Sequence, residues 1–234
     1  MIQITIRNDL VRILLNTSGD ALSRRGYRTW NGEAPLRETL AAALVKLSGW
    51  KPGQPLHDPC CGTGTIVAEA ALMAAGIAPG QKRQFAMEKY KCFEKLDYDF
   101  LRSRSSAGID MAAVHGISGS DIDSSALELA KRHIIQAGFD PETIPLQQIP
   151  LQDLSIPAGN GVFICNPPYG ERLSDQKECR KLYHDLHMLK QRHPTWRLCA
   201  ISSDPAFERS YGKKAGKKRR LYNGRLECVF YIYD

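Results

Sequence analysis

The sequence predicts an α/β fold built on a doubly wound, mostly parallel sheet, with an antiparallel hairpin at its C-terminal edge and a short N-terminal extension. Short apolar segments alternate with longer segments in which apolar residues recur at helical spacing, which is the pattern of β-α-β units. No long helical pattern lies between Leu221 and Tyr233, which suits an antiparallel edge hairpin. With 234 residues, 43% of them hydrophobic, the chain can enclose one core of ordinary size.

Each element follows from a local pattern. Residues 1–15 alternate and then become apolar, which predicts a hairpin turning near Asn8 and Asp9, and the polar, arginine-rich residues 16–31 predict a connector. Helical periodicity with flanking stop signals predicts helices over 36–47, 66–75, 124–137 (capped by Ser124) and 176–192. Short apolar runs predict strands over 55–58, 115–121, 144–149, 161–165, 197–202 and 227–233. The mixed segment 78–108 allows two short helices, over 84–93 and 96–103.

Composition and charge limit the classes of function. Thirty-two Lys and Arg exceed 25 Asp and Glu, and this net charge of +7 favours a polyanionic partner such as nucleic acid over a plain solvated surface. No apolar run approaches the roughly 18 to 20 residues of a membrane span, and no signal-peptide pattern is present. The seven cysteines are scattered and never spaced as CxxC, so we expect a reduced, cytoplasmic protein with neither a disulfide framework nor a metal site.

The first candidate site is the loop Asp58–Thr65, which joins a predicted strand to a predicted helix. Ligands of open α/β sheets bind beyond the carboxyl ends of the strands. Gly62 and Gly64 allow the main chain to turn sharply and to approach a ligand closely. A tight turn with nothing bound explains the same glycines. The loop lacks the third glycine of a dinucleotide fingerprint and the Gly-Lys-Ser/Thr of a phosphate loop.

A second candidate site follows the predicted strand 115–121. The carboxylate of Asp121, at the tip of this strand, can accept hydrogen bonds from both hydroxyls of a ribose. The alternative role for an acidic or hydroxyl side chain at this place is to cap the next helix, and at least one of Asp123 and Ser124 is expected to do so.

The third candidate site is Asn166–Tyr169, directly after the predicted strand 161–165. Its two prolines fix φ and remove two backbone donors. The segment is therefore rigid and presents backbone acceptors together with the Asn166 side chain. A strand that leads into Asn-Pro-Pro-Tyr has few structural reasons to exist, which favours a functional role.

Taken together, the three loops resemble those of S-adenosylmethionine-dependent amino-methyltransferases. Further segments make the chain similar to the bacterial 23S rRNA guanine-N2-methyltransferase family, namely Thr17–Gly19, Arg24–Arg28, Ala34–Ala42 and Tyr222–Cys228. The resemblance covers nearly the whole chain. It implies a Rossmann-like class I methyltransferase domain over residues 33–234, with residues 1–32 as an N-terminal hairpin and connector.

The resemblance implies that the chain binds S-adenosylmethionine. The loop 58–65 would hold the methionine portion at a helix start, Asp121 would bind the ribose, and Asp153 would accept from the adenine amine. The residues implied in cofactor binding are Asp58, Cys60, Gly62, Thr63, Gly64, Asp121, Ile122, Asp153 and Thr39. The alternative for Asp153 is a loop carboxylate without a partner. Arg37 and Thr39, at the start of the predicted helix 36–47, would help to close the cofactor pocket, and an ordinary amphipathic helix explains them about as well.

Catalysis is assigned by the resemblance to Asn166, Pro167, Pro168 and Tyr169. The Asn166 side-chain oxygen and the Pro167 carbonyl would hold both protons of an exocyclic amine and stabilise its developing positive charge. Tyr169 would stack on a base turned out of its helix. The expected acceptor is guanine N2 in RNA, foremost 23S rRNA. The motif equally serves tRNA guanine N2, DNA adenine N6 and protein glutamine N5, and a non-catalytic RNA-binding assembly factor would retain the fold.

Other residues have plainer interpretations. Six cations lie within eight residues and either contact phosphates or form a solvated loop or edge-strand guard, namely Lys213, Lys214, Lys217, Lys218, Arg219 and Arg220. His57 and His115 are expected to be satisfied structural histidines. Four tyrosines are expected to pack in the core or at the edge of the sheet: Tyr211, Tyr222, Tyr231 and Tyr233.

The chain departs from the family pattern in four respects. Asn16 stands where the family has aspartate before Thr-Ser-Gly, Cys60 stands for a phenylalanine, and His133 stands for an asparagine. The family carries an RNA-binding THUMP module before the catalytic domain, and this chain begins about where that module is expected to end. None of the three substitutions removes a residue with an obvious chemical role.

Overall fold

A computed structural model describes residues 2–28, 36–169 and 173–234. Its strands are β1 (Ile2–Arg7), β2 (Leu10–Leu15), β3 (Leu56–Asp58), β4 (Ile117–Asp121), β5 (Leu146–Gln148), β6 (Val162–Cys165), β7 (Arg197–Ser202), β8 (Lys217–Asn223) and β9 (Leu226–Tyr233). Its α-helices are α1 (Glu38–Leu47), α2 (Thr65–Ala74), α3 (Tyr98–Ser106), α4 (Ser124–Ala137), α5 (Leu173–Arg192) and α6 (Phe207–Tyr211). None of these helices is both long and apolar enough to cross a membrane.

The main sheet has seven strands in the order β5-β4-β3-β6-β7-β9-β8. Strands β3 to β7 pair in parallel, whereas β9 is antiparallel to both β7 and β8. The predicted parallel sheet with an antiparallel C-terminal hairpin is therefore confirmed. Because the parallel strands share one direction, the loops after β3, β4 and β6 lie at the same edge of the sheet.

Two hydrophobic cores lie on the two faces of the sheet. Residues of α1, α2 and α4 pack in the first core and residues of α5 and α6 in the second. Alternation along β9 shows the division, because Phe230 and Ile232 belong to the first core and Tyr231 and Tyr233 to the second. The sheet is thus covered on both faces, as the doubly wound prediction requires.

The predicted N-terminal hairpin is also confirmed. Strands β1 and β2 form a separate antiparallel pair, and the turn residues Asn8 and Asp9 have φ values of 50° and 57°. Every residue of both strands is exposed. The connector that follows is fixed to the main domain, because buried Glu69 of α2 accepts hydrogen bonds from Arg25 and from the Tyr27 hydroxyl.

Three predictions about local structure were wrong or incomplete. The helix over 84–93 is two 3-10 turns, Ala86–Lys89 and Lys91–Phe93, and the first of them is joined to the connector by the bond from Met87 N–H to Thr17 O. The N-cap of α4 is Asp123, whose carboxylate accepts from the N–H groups of Ser125 and Ala126. Helix α6 and the basic first half of β8 were not predicted.

Candidate active site

The loop after β3 turns directly into helix α2. We call residues 58–65 the glycine loop. Asp58 is buried and its carboxylate accepts a hydrogen bond from the Cys60 N–H at 3.1 Å. Gly62 and Gly64 both have positive φ, 50° and 76°, a region that side chains other than hydrogen disfavour. A Cβ on Gly64 would lie 2.9 Å from the Cβ of Ala130 on α4, so only glycine lets these two elements approach this closely.

Main-chain hydrogen bonds tie the glycine loop to the end of β4. Cys61 N–H donates to Ser120 O at 2.9 Å, and Gly62 N–H donates to Asp121 Oδ2 at 2.7 Å. The other oxygen of Asp121 accepts from the Asp123 N–H at 3.1 Å. Asp121 therefore fixes the shape of the glycine loop, a structural task that the sequence did not predict for it.

His133 supports the same loop from helix α4. Its ring is fully buried, and Nδ1 lies 2.9 Å from Thr63 O. A carbonyl oxygen only accepts hydrogen bonds, so Nδ1 carries the proton and donates it. This contact gives His133 a structural role that the sequence did not reveal.

Burial sets the electrostatics of Asp58. Desolvation raises the pKa of its carboxyl group well above the usual value, the Cys60 N–H opposes this shift, and the nearby charge of Asp121 adds to it. The charged form of Asp58 is therefore disfavoured until a cationic group comes close. A ligand that carries an ammonium or sulfonium group would meet that requirement, since an opposite charge lowers a carboxyl pKa.

A cavity of about 330 Å³ opens at the glycine loop. This volume lies at the lower end of the range typical of small-molecule sites. Four separate segments of the chain form the wall. Its residues include Leu36, Asp58, Cys60, Gly62, Thr63, Asp123, Ser125 and Asn166. A Cβ on Gly62 would meet no atom of the described residues within 4 Å, so the backbone there faces open space among them.

Residues 166–169, which we call the proline loop, follow β6 at the same edge of the sheet. The Tyr169 hydroxyl donates to the Asn166 side-chain oxygen. The hydroxyl of Tyr183, a fully buried residue of α5, donates to Pro168 O at 2.9 Å. Tyr169 packs against the first core and its hydroxyl lies beside the Cys228 thiol of β9. Side-chain hydrogen bonds thus hold the proline loop.

The structure brings five of the thirteen predicted site residues to one cavity, and the other eight do not line its wall. Asp58, Cys60, Gly62, Thr63 and Asn166 share one cavity. The other five residues predicted to bind the cofactor do not line this cavity, namely Gly64, Asp121, Ile122, Asp153 and Thr39. Asp153 is exposed in a 3-10 turn, the Ile122 side chain is 69% exposed, and Thr39 lines a separate cavity beside Arg25 and Glu69. Their roles, like that of Asp121 at a ribose, stay predictions.

Asp123 is a site residue that the sequence analysis treated only as a helix cap. Its Oδ1 caps α4, and the residue also lines the cavity. The bonds of the cap lower its pKa, the side-chain hydrogen bond from Ser125 contributing most, so the carboxylate is charged at neutral pH. Asp121 is thus bound to the glycine loop, whereas Asp123 lines the cavity.

His57, in contrast, is a structural residue, as predicted. Nδ1 lies 2.8 Å from Ser118 Oγ and Nε2 lies 3.0 Å from Ser120 Oγ. Burial lowers the pKa of the ring to about 4, so the ring is neutral at physiological pH. Across residues 2–28, 36–169 and 173–234, no group of three or more His, Cys, Asp or Glu side chains is placed to hold a metal ion.

Comparison with known proteins identifies relatives along nearly the whole chain. A family described as RMKL-like, methyltransferase domain, matches residues 25–232. YpsC of Bacillus subtilis, named as an RNA methyltransferase, is 38% identical over 99% of this chain. The ribosomal RNA large subunit methyltransferase K/L of Shewanella sp. strain MR-4 is 41% identical over 97%. The chain spans only 60% of the length of the former relative and 32% of the latter.

Solved structures agree on the fold. SMU.472, solved in complex with SAH, superposes with a TM-score of 0.90 at 38% identity, covering 99% of this chain and 60% of that one. A protein from Listeria monocytogenes described as a predicted N6-adenine-specific DNA methylase gives a TM-score of 0.92 at 39% identity, covering 100% of this chain and 60% of that one. The predicted Rossmann-like class I methyltransferase fold is confirmed.

Proposed function

Because the chain belongs to the RMKL-like methyltransferase-domain family, we propose that it transfers a methyl group from S-adenosylmethionine to the N2 amine of guanine in RNA, foremost 23S rRNA. The observation that carries the proposal is the meeting of Asp58, Gly62 and Asn166 at one cavity. A donor site and an acceptor site must share one space for direct transfer, and here the glycine loop and the proline loop do. An rRNA substrate would place the protein in the cytoplasm.

The glycine loop fits S-adenosylmethionine by its chemistry. Asp58 is a buried carboxyl group whose charge is disfavoured without a cation, and Gly62 leaves its backbone open to the cavity. Asp123 supplies a second, charged carboxylate at the wall for hydroxyl or ammonium donors. When bound, the cofactor supplies an electrophilic methyl group, so the protein's task is to position the acceptor. The complex of SMU.472 with SAH supports this assignment.

The proline loop fits an exocyclic amine. Asn166 Oδ1 and the Pro167 carbonyl are acceptors that would hold the two amine protons, and both would stabilise positive charge as the new bond forms. Oδ1 already accepts from the Tyr169 hydroxyl, which fixes the orientation of the amide and leaves a second lone pair for the substrate. Pro167 is buried and Pro168 exposed, so the loop is anchored on one side and open on the other.

Charge and the names of relatives support RNA as the substrate. The chain carries a net charge of +7, and Lys213, Lys214 and strand β8 supply an exposed basic surface. The relatives cited from Bacillus and Shewanella are named as RNA and ribosomal RNA methyltransferases. We further propose residues 33–234 as the catalytic domain and residues 1–32 as its connector, which agrees with the exposed hairpin at the N-terminus.

The decisive experiment is incubation of the purified protein with labelled S-adenosylmethionine and separated pools of 23S rRNA, 16S rRNA, tRNA and genomic DNA, followed by nucleoside analysis. We expect N2-methylguanosine, formed in the 23S rRNA pool. N6-methyladenine in DNA, the product suggested by the description of the Listeria relative, would contradict the proposal. Failure to bind S-adenosylmethionine in a titration would instead favour a non-catalytic RNA-binding factor.

A further inference from the structure

The edge strand β8 begins with four consecutive cations, Lys217, Lys218, Arg219 and Arg220, and all four are exposed. Successive side chains of a strand point to opposite faces of the sheet. Lys217 lies opposite Ile232 and Arg219 lies opposite Phe230 in the antiparallel pairing with β9. Since Phe230 and Ile232 belong to the core under α1 and α2, Lys217 and Arg219 lie on that face, which we call the α1 face.

The other two cations lie on the opposite face, and carboxylates neutralise both. The Nζ of Lys218 is 2.9 Å from Oε2 of Glu208 on α6. The Nε of Arg220 is 3.3 Å from Oε1 of Glu227 on β9. Glu227 in turn accepts from the Tyr222 hydroxyl at 3.2 Å. The positive charge on this face is therefore largely balanced within the protein.

The cations of the α1 face lack such partners. In the described part of the chain, neither Lys217 nor Arg219 forms an ion pair with a carboxylate. Asp234 lies next after Tyr233, and its carboxylate is already bound by Arg197 at 2.6 Å. Among residues 2–28, 36–169 and 173–234, Arg219 donates only to the main-chain oxygen of Lys218, at 3.0 Å, which leaves its charge uncompensated there. Charged side chains on an edge strand can also serve to prevent pairing with another strand. That role does not require the charges on one face to be paired with carboxylates and those on the other face to be unpaired.

The two unpaired cations, Lys217 and Arg219, lie on the face of β8 that leads towards the proline loop. Leu221 continues the α1 face and lies opposite Cys228, whose thiol lies beside the Tyr169 hydroxyl. At the turn beyond, a Cβ on Gly224 would lie 3.3 Å from Nη2 of Arg37, so a further guanidinium lies over that turn. Residues two apart in a strand are about 6.6 to 6.8 Å apart. Lys217 and Arg219 thus place two positive charges in line along the strand, on the face that leads towards Tyr169.

We propose that the phosphate backbone of the RNA substrate runs along the α1 face of β8 and contacts Lys217 and Arg219, while Lys218 and Arg220 take no part. The inference rests on the proposed RNA substrate, and it specifies which half of the basic strand meets that substrate. When unpaired protein cations contact phosphates, they release the counterions that were condensed on the nucleic acid. This release is the main source of non-specific affinity for nucleic acid. Cations that are already paired must first give up a carboxylate.

The test compares two variants that each remove two positive charges from one face of β8. The first combines Lys217→Gln with Arg219→Gln, and the second combines Lys218→Gln with Arg220→Gln. The probe is a fluorescent guanine-containing RNA hairpin, titrated by anisotropy at several salt concentrations. We expect the first pair to weaken binding and to reduce the slope of log K against log salt by about 1.4 to 1.8. We expect the second pair to keep the slope of the unmodified protein. Equal affinity for S-adenosylhomocysteine would verify that both variants are folded.

Each outcome bears on one claim. Equal losses in the two variants, or a larger loss in the second, would overturn the division between faces, since both variants have the same net charge. An unchanged slope in the first variant would overturn the phosphate contact. Methylation by the unmodified protein is measured on the same RNA samples. If that protein neither binds nor methylates any RNA, the proposed function itself fails, whereas normal methylation with equal variants refutes only this inference.

Discussion

The glycine loop and the proline loop meet at one cavity but are held by different kinds of bonds. The glycine loop is fixed by backbone N–H groups, since Cys61 and Gly62 both donate to the end of β4. The proline loop is fixed by side chains, with Tyr169 bound to Asn166 and Tyr183 bound to Pro168. The glycine loop takes part through its own main chain, with the side chains of Asp121 and His133 among its partners, whereas the proline loop depends on individual hydroxyl groups.

This difference teaches where substitutions should act. Changes in the glycine loop should alter cofactor affinity or stability and leave the rate at saturating cofactor nearly intact. Changes at the proline loop should lower the rate and leave cofactor affinity intact, because the loop orients the acceptor amine. If a substitution in the glycine loop lowered the rate at saturating cofactor, or one in the proline loop lowered cofactor affinity, the two loops would act as one unit.

The largest effect is expected at Asn166, which should provide one of two acceptors for the amine protons. We predict that Asn166→Ala lowers kcat by about 10² to 10³, the loss typical of one preorganised hydrogen-bonding group at a reacting centre. The Kd for S-adenosylhomocysteine should change by no more than about threefold. Asn166→Asp retains an acceptor oxygen at this position and should recover part of the rate. An unchanged kcat in single-turnover assays of Asn166→Ala would remove the central catalytic assignment.

The sequence predicted the general layout of this site because strand direction determines where the loops lie. Parallel strands end at one edge, so Asp58 and Asn166, more than 100 positions apart, could be expected to share a cavity. The alternation of strand and helix patterns was sufficient for the order of elements. The tight turn at Gly62 and Gly64 was likewise visible as two glycines at a strand-to-helix junction.

Other features depended on contacts that no local pattern contains. Helix α6 has five residues, too few for helical periodicity to appear. Four consecutive cations in β8 show no alternation, and this segment is a strand only because it pairs with β9. The hydroxyl of Tyr183 meets Pro168 through the packing of α5, and the periodicity of the helix predicts a buried ring but not its partner. Likewise, Thr39 lines a different cavity beside Arg25 and Glu69, which are distant from it in the sequence.

The second effect separates the two glycines of the glycine loop. Both have positive φ, so an alanine at either position should cost about 1 to 2 kcal/mol of folding free energy. Gly64→Ala should cost about 1 to 3 kcal/mol more, because its Cβ would lie 2.9 Å from that of Ala130. Urea unfolding measures the difference. Gly62→Ala has space for its methyl group and should instead weaken cofactor binding. Equal stability of the two variants would contradict the close approach of α4.

The third effect tests the division between the two aspartates. Asp121→Asn replaces one acceptor oxygen that binds a backbone N–H, at Gly62 or Asp123, and should weaken cofactor binding by about 10- to 100-fold. At saturating cofactor, kcat should stay within about threefold. Asp123→Asn is the comparison variant: its amide oxygen can still cap α4, and the loss of its charge at the cavity wall should weaken cofactor binding less than Asp121→Asn does. Titration calorimetry measures both affinities. A greater loss in Asp123→Asn would show that the aspartate facing the cavity makes the main cofactor contact.

The smallest effect is expected at Tyr183, which positions the proline loop from the second core. Tyr183→Phe keeps the buried ring beside Phe207 and removes only the hydroxyl that donates to Pro168 O. One neutral hydrogen bond contributes about 0.5 to 1.5 kcal/mol, so kcat should fall by no more than about tenfold, with cofactor affinity unchanged. Tyr211→Phe is the control, since that buried hydroxyl has no hydrogen-bond partner in the described residues. If both variants slow the reaction equally, core packing rather than the Pro168 bond holds the proline loop.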